Sequence, residues 1–393
     1  MNLELDEVST RPRDRRRPRA LLSASATLIA VSLLGGCSCG DDTAGGGAGG
    51  SGGAGGDGGS AGAPPLGGGG EGGAGGGPLT KDPVLLASGR VNPQAIAVYG
   101  DDVIWTEFGD GANNTGGVLR CSKAGCLDGP TTVSANQPFP SSLALHGTDA
   151  YWADRSSDDT LRCSLDAPCD APTVVVSGAS IQWGIALDDD AVYFTVGGDE
   201  NGDVSKCPLS GCDLASRTTI ATLQNRPQDI AVDGGEIFWT TIGTPPSFAD
   251  GRVNTCPTSG CVGEPTAIAV DQTVSALALD ATRVYWAVDG GLDSKVFACP
   301  RTGCSGDGPE LIADGLTFVG HMAVDASGIY WSELGVDVNA QEGRIASCPL
   351  DGCAGAPARV HATEQDLPRG IAVDETSIYW VNGFGGTVYK VAK

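Results

Sequence analysis

One ten-residue pattern recurs seven times in this chain: an apolar–Ala–apolar triplet, a short turn, then a β-branched run that closes on an aromatic. The copies are IAVYGDDVIW (96–105), LALHGTDAYW (143–152), IALDDDAVYF (185–194), IAVDGGEIFW (230–239), LALDATRVYW (277–286), MAVDASGIYW (322–331) and IAVDETSIYW (371–380). The central alanines, Ala97, Ala144, Ala186, Ala231, Ala278, Ala323 and Ala372, lie 47, 42, 45, 47, 45 and 49 residues apart. A unit of that length cannot bury its own apolar face and must stack on its neighbours. A period of about 40–50 residues is that of one four-stranded propeller blade. The expectation is an all-β, seven-bladed β-propeller of four-stranded antiparallel blades over residues 79–393.

Within each copy the triplet reads as strand A and the β-branched and aromatic run as strand B. Strand C follows a variable loop, as in GRVNTC (251–256), and strand D a tight turn, as in TAIAV (266–270). Six copies close strand B on Trp105, Trp152, Trp239, Trp286, Trp331 or Trp380, and the third on Phe194. Large aromatics at a repeated position read as packing between blades. The seventh copy ends after its strand C, GTVYKVAK (386–393). The segment Pro83–Gly89 resembles the missing strand D. The last blade is thus expected to be closed by the N-terminal strand, which removes exposed sheet edges.

Twelve of the fourteen cysteines fall in six close pairs, each where strand C turns into strand D: Cys121/Cys126, Cys163/Cys169, Cys207/Cys212, Cys256/Cys261, Cys299/Cys304 and Cys348/Cys353. Zinc would find only two thiolates per pair. In an exported chain such pairs read as disulfides, each contributing roughly 2 kcal/mol in the chain-entropy model.

Residues 1–36 have the layout of an export signal: a basic stretch with six arginines between Arg11 and Arg19, then an apolar run from Ala20 to Leu34. It closes on Leu34-Gly35-Gly36-Cys37, which resembles the lipobox of bacterial lipoproteins. Lipidation of Cys37 would tether the mature chain to a membrane. By resemblance to Gram-negative sorting, Ser38 directs it to the outer membrane, facing the periplasm or the surface. Residues 37–78 are glycine-rich, above all from Ala44 to Gly77, where Gly is broken by a few Ala, Ser and Pro. They bury too little apolar surface to offset ordering and read as a disordered tether. Cys39 is left over beside the lipid site.

The net charge of −24 argues against nucleic acid, whose binding needs Lys and Arg to neutralise phosphates. It suits solubility, cation binding or cationic partners.

The strings IAVDETSIYW and IAVDGGEIFW resemble the repeats of YWTD-type and NHL-type propellers. The full Tyr-Trp-Thr-Asp tetrad is absent, YWAD (151–154), FWTT (238–241) and YWVN (379–382) standing in its place. Seven blades with a Pro-x-Gly-Ile lead into strand A, as in Leu367-Pro368-Arg369-Gly370-Ile371, look more like the streptogramin B lyase group. That resemblance implies a fold and leaves activity open, since one fold hosts many functions.

In propellers the D–A and B–C loops share one face around the mouth of the central channel. The residue three before each central alanine is expected to point there: Gln94, Ser141, Trp183, Gln228, Ser275, Gly320 and Arg369. This ring varies where structural positions repeat, as a ligand surface does. Gln94, Trp183, Gln228 and Arg369 are candidate ligand contacts, with His321 one position further in. Acidic B–C loops, above all Asp199, Glu200 and Asp203, are candidate Ca²⁺ ligands. Asp188, Asp233, Asp280, Asp325 and Asp374 sit in A–B turns and read as turn formers. The chain has three histidines, no GxSxG motif and no spare nucleophilic cysteine in the repeats. The expected role is a non-catalytic binding or assembly module at the cell envelope, with an unknown protein or glycan ligand. The alternatives are a lyase or hydrolase with His321 at the channel mouth, and a structural or adhesive surface protein.

Overall fold

The computed structural model describes residues 82–393, apart from 111–114, 180–181, 198–200, 271–272, 305, 307, 338–339 and 354. The signal segment 1–36, Cys37, Cys39 and the glycine tether lie outside the described residues, as do Asp199 and Glu200. The rest is seven sheets of antiparallel strands A to D, in sequence order in blades one to six, with the two-residue strand Cys212–Asp213 added to the edge of blade two. Blade four is typical: Pro227–Asp233, Glu236–Thr241, Arg252–Pro257 and Thr266–Ala269. The seven innermost strands contact one another in a closed circle, the last, Pro368–Val373, lying beside the first, Pro93–Tyr99. Blade seven takes its outer strand from the N-terminal side, where Val84–Ala87 pairs with Thr387–Ala392.

The core is divided into seven apolar clusters, one in each gap between blades. The strand-B aromatic of one blade sits in each, against the blade before it: Trp239 against Tyr193 and Ala186, Trp331 against Tyr285 and Ala287, Trp105 against Tyr379 and Val381. All six strand-B tryptophans are 0% exposed. A buried indole N–H needs an acceptor; four of these rings find one in two ways, while the Trp152 Nε1 has none among the described residues. Where strand B ends in Glu, that carboxylate accepts it, from Trp105 to Glu107 at 2.9 Å and from Trp331 to Glu333 at 3.0 Å. In blades four and seven the preceding blade reaches across, Trp239 donating to Gln224 and Trp380 to Gln365.

The residue after the strand-B aromatic adds a polar stitch. The hydroxyls of Thr106, Thr195 and Ser332 accept a strand-A amide of their own blade and donate to a carbonyl of the next blade, on Ser141, Gln228 and Arg369.

All six cysteine pairs are disulfides: Cys121–Cys126, Cys163–Cys169, Cys207–Cys212, Cys256–Cys261, Cys299–Cys304 and Cys348–Cys353, with Cα–Cα distances of 5.0–5.8 Å. The two cysteines of a pair differ in setting. The first is a buried residue of strand C. The second lies in the connection beyond it: Cys126, Cys169, Cys261, Cys304 and Cys353 belong to no strand and are only half-buried. Cys212, equally half-buried, departs from this by pairing with its neighbour blade, since Cys212–Asp213 runs parallel to the outer strand of blade two. Each second cysteine nonetheless packs against the apolar cluster of a blade gap, Cys169 beside Trp152, Cys261 beside Trp239 and Cys304 beside Trp286. The amides of Cys126 and Cys353 add hydrogen bonds to Leu86 and Ile312 of the preceding blade. The bridges thus pin the C–D connection over the outer end of six of the seven gaps.

The A–B aspartates are turn formers: Asp188, Asp280 and Asp374 each accept backbone amides two and three residues on, and each accepts the hydroxyl of a buried tyrosine.

Ring closure leaves little room at the seam. A Cβ on Gly370 would lie 2.7 Å from the Gln94 carbonyl oxygen and 2.8 Å from the Ala95 Cα of blade one. Backbone cannot swing aside as a side chain can, so Gly370→Ala is expected to destabilise the protein by roughly 1–3 kcal/mol, the usual cost of overpacking. Urea unfolding of the oxidised chain measures it; an unchanged midpoint would show that the seam yields freely.

Candidate functional site

Every strand A carries a register irregularity just before its apolar triplet, for example between Pro93 and Ile96, Pro227 and Ile230, and Pro368 and Ile371. A bulge breaks the strict alternation of side chains and re-aims one or two of them. The two positions it frees are the third and second before the central alanine. Each blade therefore presents variable residues to the channel without disturbing the repeated packing that follows.

The third-before positions do two kinds of work. Ser141 and Ser275 donate their hydroxyls to the carbonyls of Ala153 and Ala287, in blades where the strand-B residue after Trp is Ala and supplies no hydroxyl of its own. Gly320 is small because the Leu334 side chain lies over it, 2.8 Å from where a Cβ would stand. Gln94, Trp183, Gln228 and Arg369 remain partly exposed. Arg369 donates Nη1 to the Gln94 Oε1, and Gln94 is fixed from behind by donating to Asn92. Arg369 lies over Gly383, whose Cβ would fall 2.8 Å from its Nε.

Sequence reading missed Arg155. It opens the B–C loop of blade two, held by its amide to the Phe139 carbonyl, and its guanidinium stacks 3.9 Å over the Trp183 ring. The signal was present. Three residues after each strand-B aromatic stand Phe108, Arg155, Gly197, Ile242, Asp289, Leu334 and Gly383, and only one is basic. Burial lowers Arg155 to about 10, the charge of Arg369 adding to the effect, and burial alone lowers Arg369 to about 10. Asp154, next to Arg155, is turned into its own loop and accepts the amides of Phe139, Ser156 and Ser157.

The second-before positions form an inner ring that includes Asp229 and His321. Asp229 accepts the amides of Ile230 and, across the blade gap, Leu277. Burial raises its carboxyl above the usual range, against the opposing charge of His321. His321 is exposed, and its amide is held by Ser332. Asp203, the one described member of the acidic trio, accepts from Arg217 at 2.7 Å and from Ser205 at 2.8 Å. Among the described residues no three His, Cys, Asp or Glu side chains come together as a metal site. The paired cysteines take no part in the mouth. Cys169, Cys261 and Cys304, half-buried though they are, have their sulfurs tied to Cys163, Cys256 and Cys299 and offer no thiolate.

The sequence matches no family model and no curated protein. Solved structures do resemble it. Streptogramin B lyase aligns with a TM-score of 0.58 at 12% identity, covering 79% of this chain and 97% of that one. The chain is a seven-bladed propeller with streptogramin B lyase-like structural neighbours. Hydrazine synthase of Kuenenia stuttgartiensis aligns with a TM-score of 0.58 at 14% identity, covering 78% of this chain and 97% of that one. A puromycin-hydrolyzing peptidase of Mycobacterium tuberculosis aligns at 0.54 and 12%, covering 78% of this chain and 54% of that one. Likeness at these identities establishes the fold. The names span a lyase, a synthase and a peptidase, so the ring itself carries no particular reaction.

The other two histidines stand apart from the mouth. His146 ends strand A of blade two, 3.8 Å from Asp189. His361 is 2% exposed in blade six, its Nε2 2.8 Å from the Ser347 hydroxyl. Burial, and then the charges of Arg359 and Lys393, push it down to about 4. An unfolded imidazole titrates near 6.5. Between about pH 6.5 and 4 the unfolded chain therefore binds a proton that the folded chain refuses. The contribution of this group is complete above pH 6.5 and is lost as pH falls toward 4. We expect His361→Gln to flatten the fall in stability across that window, measured as urea midpoints from pH 7 to 4. A slope as steep as that of the parent would show that His361 is protonated in the fold.

Proposed function

We propose that this chain is an outer-membrane lipoprotein anchored through Cys37, whose propeller is a non-catalytic binding or assembly module. Its ligand face is the D–A and B–C mouth of the channel. One observation carries the reading: Trp183, the one tryptophan outside the blade gaps, is gathered with Arg155, Arg369 and Gln94 on that single mouth. An aromatic and convergent polar groups around a concave opening are the usual make-up of a ligand site. The basic, apolar and Gly-Gly-Cys succession of residues 1–37 supports the envelope anchor.

A lyase or hydrolase is the second reading, favoured by Asp229 and His321 standing at the same register position, two before the central alanine, of blades four and six. A carboxylate and an imidazole so placed could exchange a proton with a bound substrate. His321→Ala distinguishes the two. It would abolish a reaction that uses the imidazole and leave ligand binding at the mouth largely intact.

The direct test is the melting temperature of the oxidised chain with Ca²⁺, a chelator, glycans and cell-wall fragments. A ligand that binds only the folded state at a hundred times its Kd stabilises by about 2.7 kcal/mol. The expected result is a rise with at least one ligand that Trp183→Ala or Arg369→Ala removes. A rise that survives both substitutions would move the site away from this mouth.

A further inference from the structure

Seven arginines of this acidic protein each meet a carboxylate. Arg90 meets Glu107, Arg120 meets Asp102, Arg162 meets Asp149, Arg217 meets Asp203, Arg283 meets Glu310, Arg301 meets Asp233 and Arg344 meets Glu333. Arg155 and Arg369 depart from that pattern. Both are partly buried at the same channel mouth, and among the described residues neither has a carboxylate partner. The Nε of each is enclosed without an acceptor. One face of Arg155 is covered by Trp183, and one Nη of Arg369 is used by Gln94. Two like charges at one mouth, each partly withdrawn from water, are costly unless a counter-charge joins them.

We propose that this mouth binds the oxyanion group of a small ligand, a carboxylate or a phosphate, with Arg155 and Arg369 as its counter-charges. The proposal rests on the reading of the mouth as the ligand face, and it names the chemistry of what enters. Guanidinium forks match the planar and bidentate geometry of carboxylate and phosphate oxygens. Stacking on Trp183 holds the Arg155 fork flat, so its edge stays available. The ligand is small because the surrounding loops are acidic: Asp110, Asp158, Asp250, Asp293 and Glu342 lie on B–C loops of the same face. A long polyanion would meet those carboxylates at once.

Trp183 makes the test selective. The other six tryptophans are 0% exposed, so acrylamide quenching of the intact oxidised chain reads Trp183. Malonate and inorganic phosphate are titrated separately, with sodium chloride holding ionic strength constant. The expected result is a saturable change in Trp183 emission, with reduced quenching, for at least one anion. The stronger response identifies a carboxylate or a phosphate as the natural group. Arg369→Gln is expected to weaken that anion at least tenfold, and Arg155→Gln serves should the first variant fail to fold. Arg359→Gln, an exposed residue at the opposite end of its blade, is expected to leave the affinity unchanged. No saturable response to either anion, or a response that survives both mouth substitutions, overturns the proposal. A neutral cell-wall oligosaccharide is run beside them. If it alone saturates the Trp183 signal, the anion proposal falls and the binding reading stands; if nothing does, both fall.

Discussion

The structure depends on the burial of one aromatic ring between each pair of neighbouring blades. A four-stranded sheet has two faces and no core of its own. Each blade here buries one face under the aromatic of the next, from Trp152 against Ile104 to Trp380 against Tyr330. Burying a ring of this size brings a large apolar gain and one polar obligation, the indole N–H. Glu107, Glu333, Gln224 and Gln365 meet that obligation from different strands. The same apolar contact is therefore kept while the residues around it drift. A hydroxyl stitch crosses the gaps after blades one, three and six, and a disulfide lies at six of the seven gaps, so all three devices meet between blades one and two and between three and four.

A rigid ring frees its mouth. The bulge in every strand A separates the residues that pack from those that face the channel. Blades seven, one, two and three place Arg369, Gln94, Arg155 and Trp183 on one part of the rim. Blades four and six place a carboxyl, Asp229, and an imidazole, His321, one position further along their strands A. The opening is thus polarised, although the repeat that builds it is nearly uniform.

The ring was legible because packing repeats. Seven triplets, seven aromatics and six cysteine pairs mark the same register, and the likeness of Pro83–Gly89 to a strand D points to the pairing of Val84–Ala87 with Thr387–Ala392. The pairing of the cysteines was legible from their spacing, but the packing of Cys169, Cys261 and Cys304 against the neighbouring tryptophan clusters was not. That contact depends on how far the C–D connection folds back over the gap. The mouth was legible in part, for the opposite reason. Gln94, Trp183 and Arg369 were found by counting back from the central alanines, because a bulge keeps that count constant. Arg155 was missed because it approaches from the B–C loop, and contact between loops leaves no periodic trace. Its pairing with Trp183 joins residues of two different blades. Gly320 and Gly383 could not be interpreted without the Leu334 and Arg369 side chains that occupy their space.

The central structural claim is that the circle is closed by strands from both ends of the chain. Amide hydrogen exchange on Val84–Ala87 tests it most directly. If this strand seals blade seven, its paired amides open only when the ring opens. They should then exchange as slowly as those of the outer strands in blades one to six. Exchange at loop rates, with the other blades still protected, would contradict the closure and leave blade seven three-stranded.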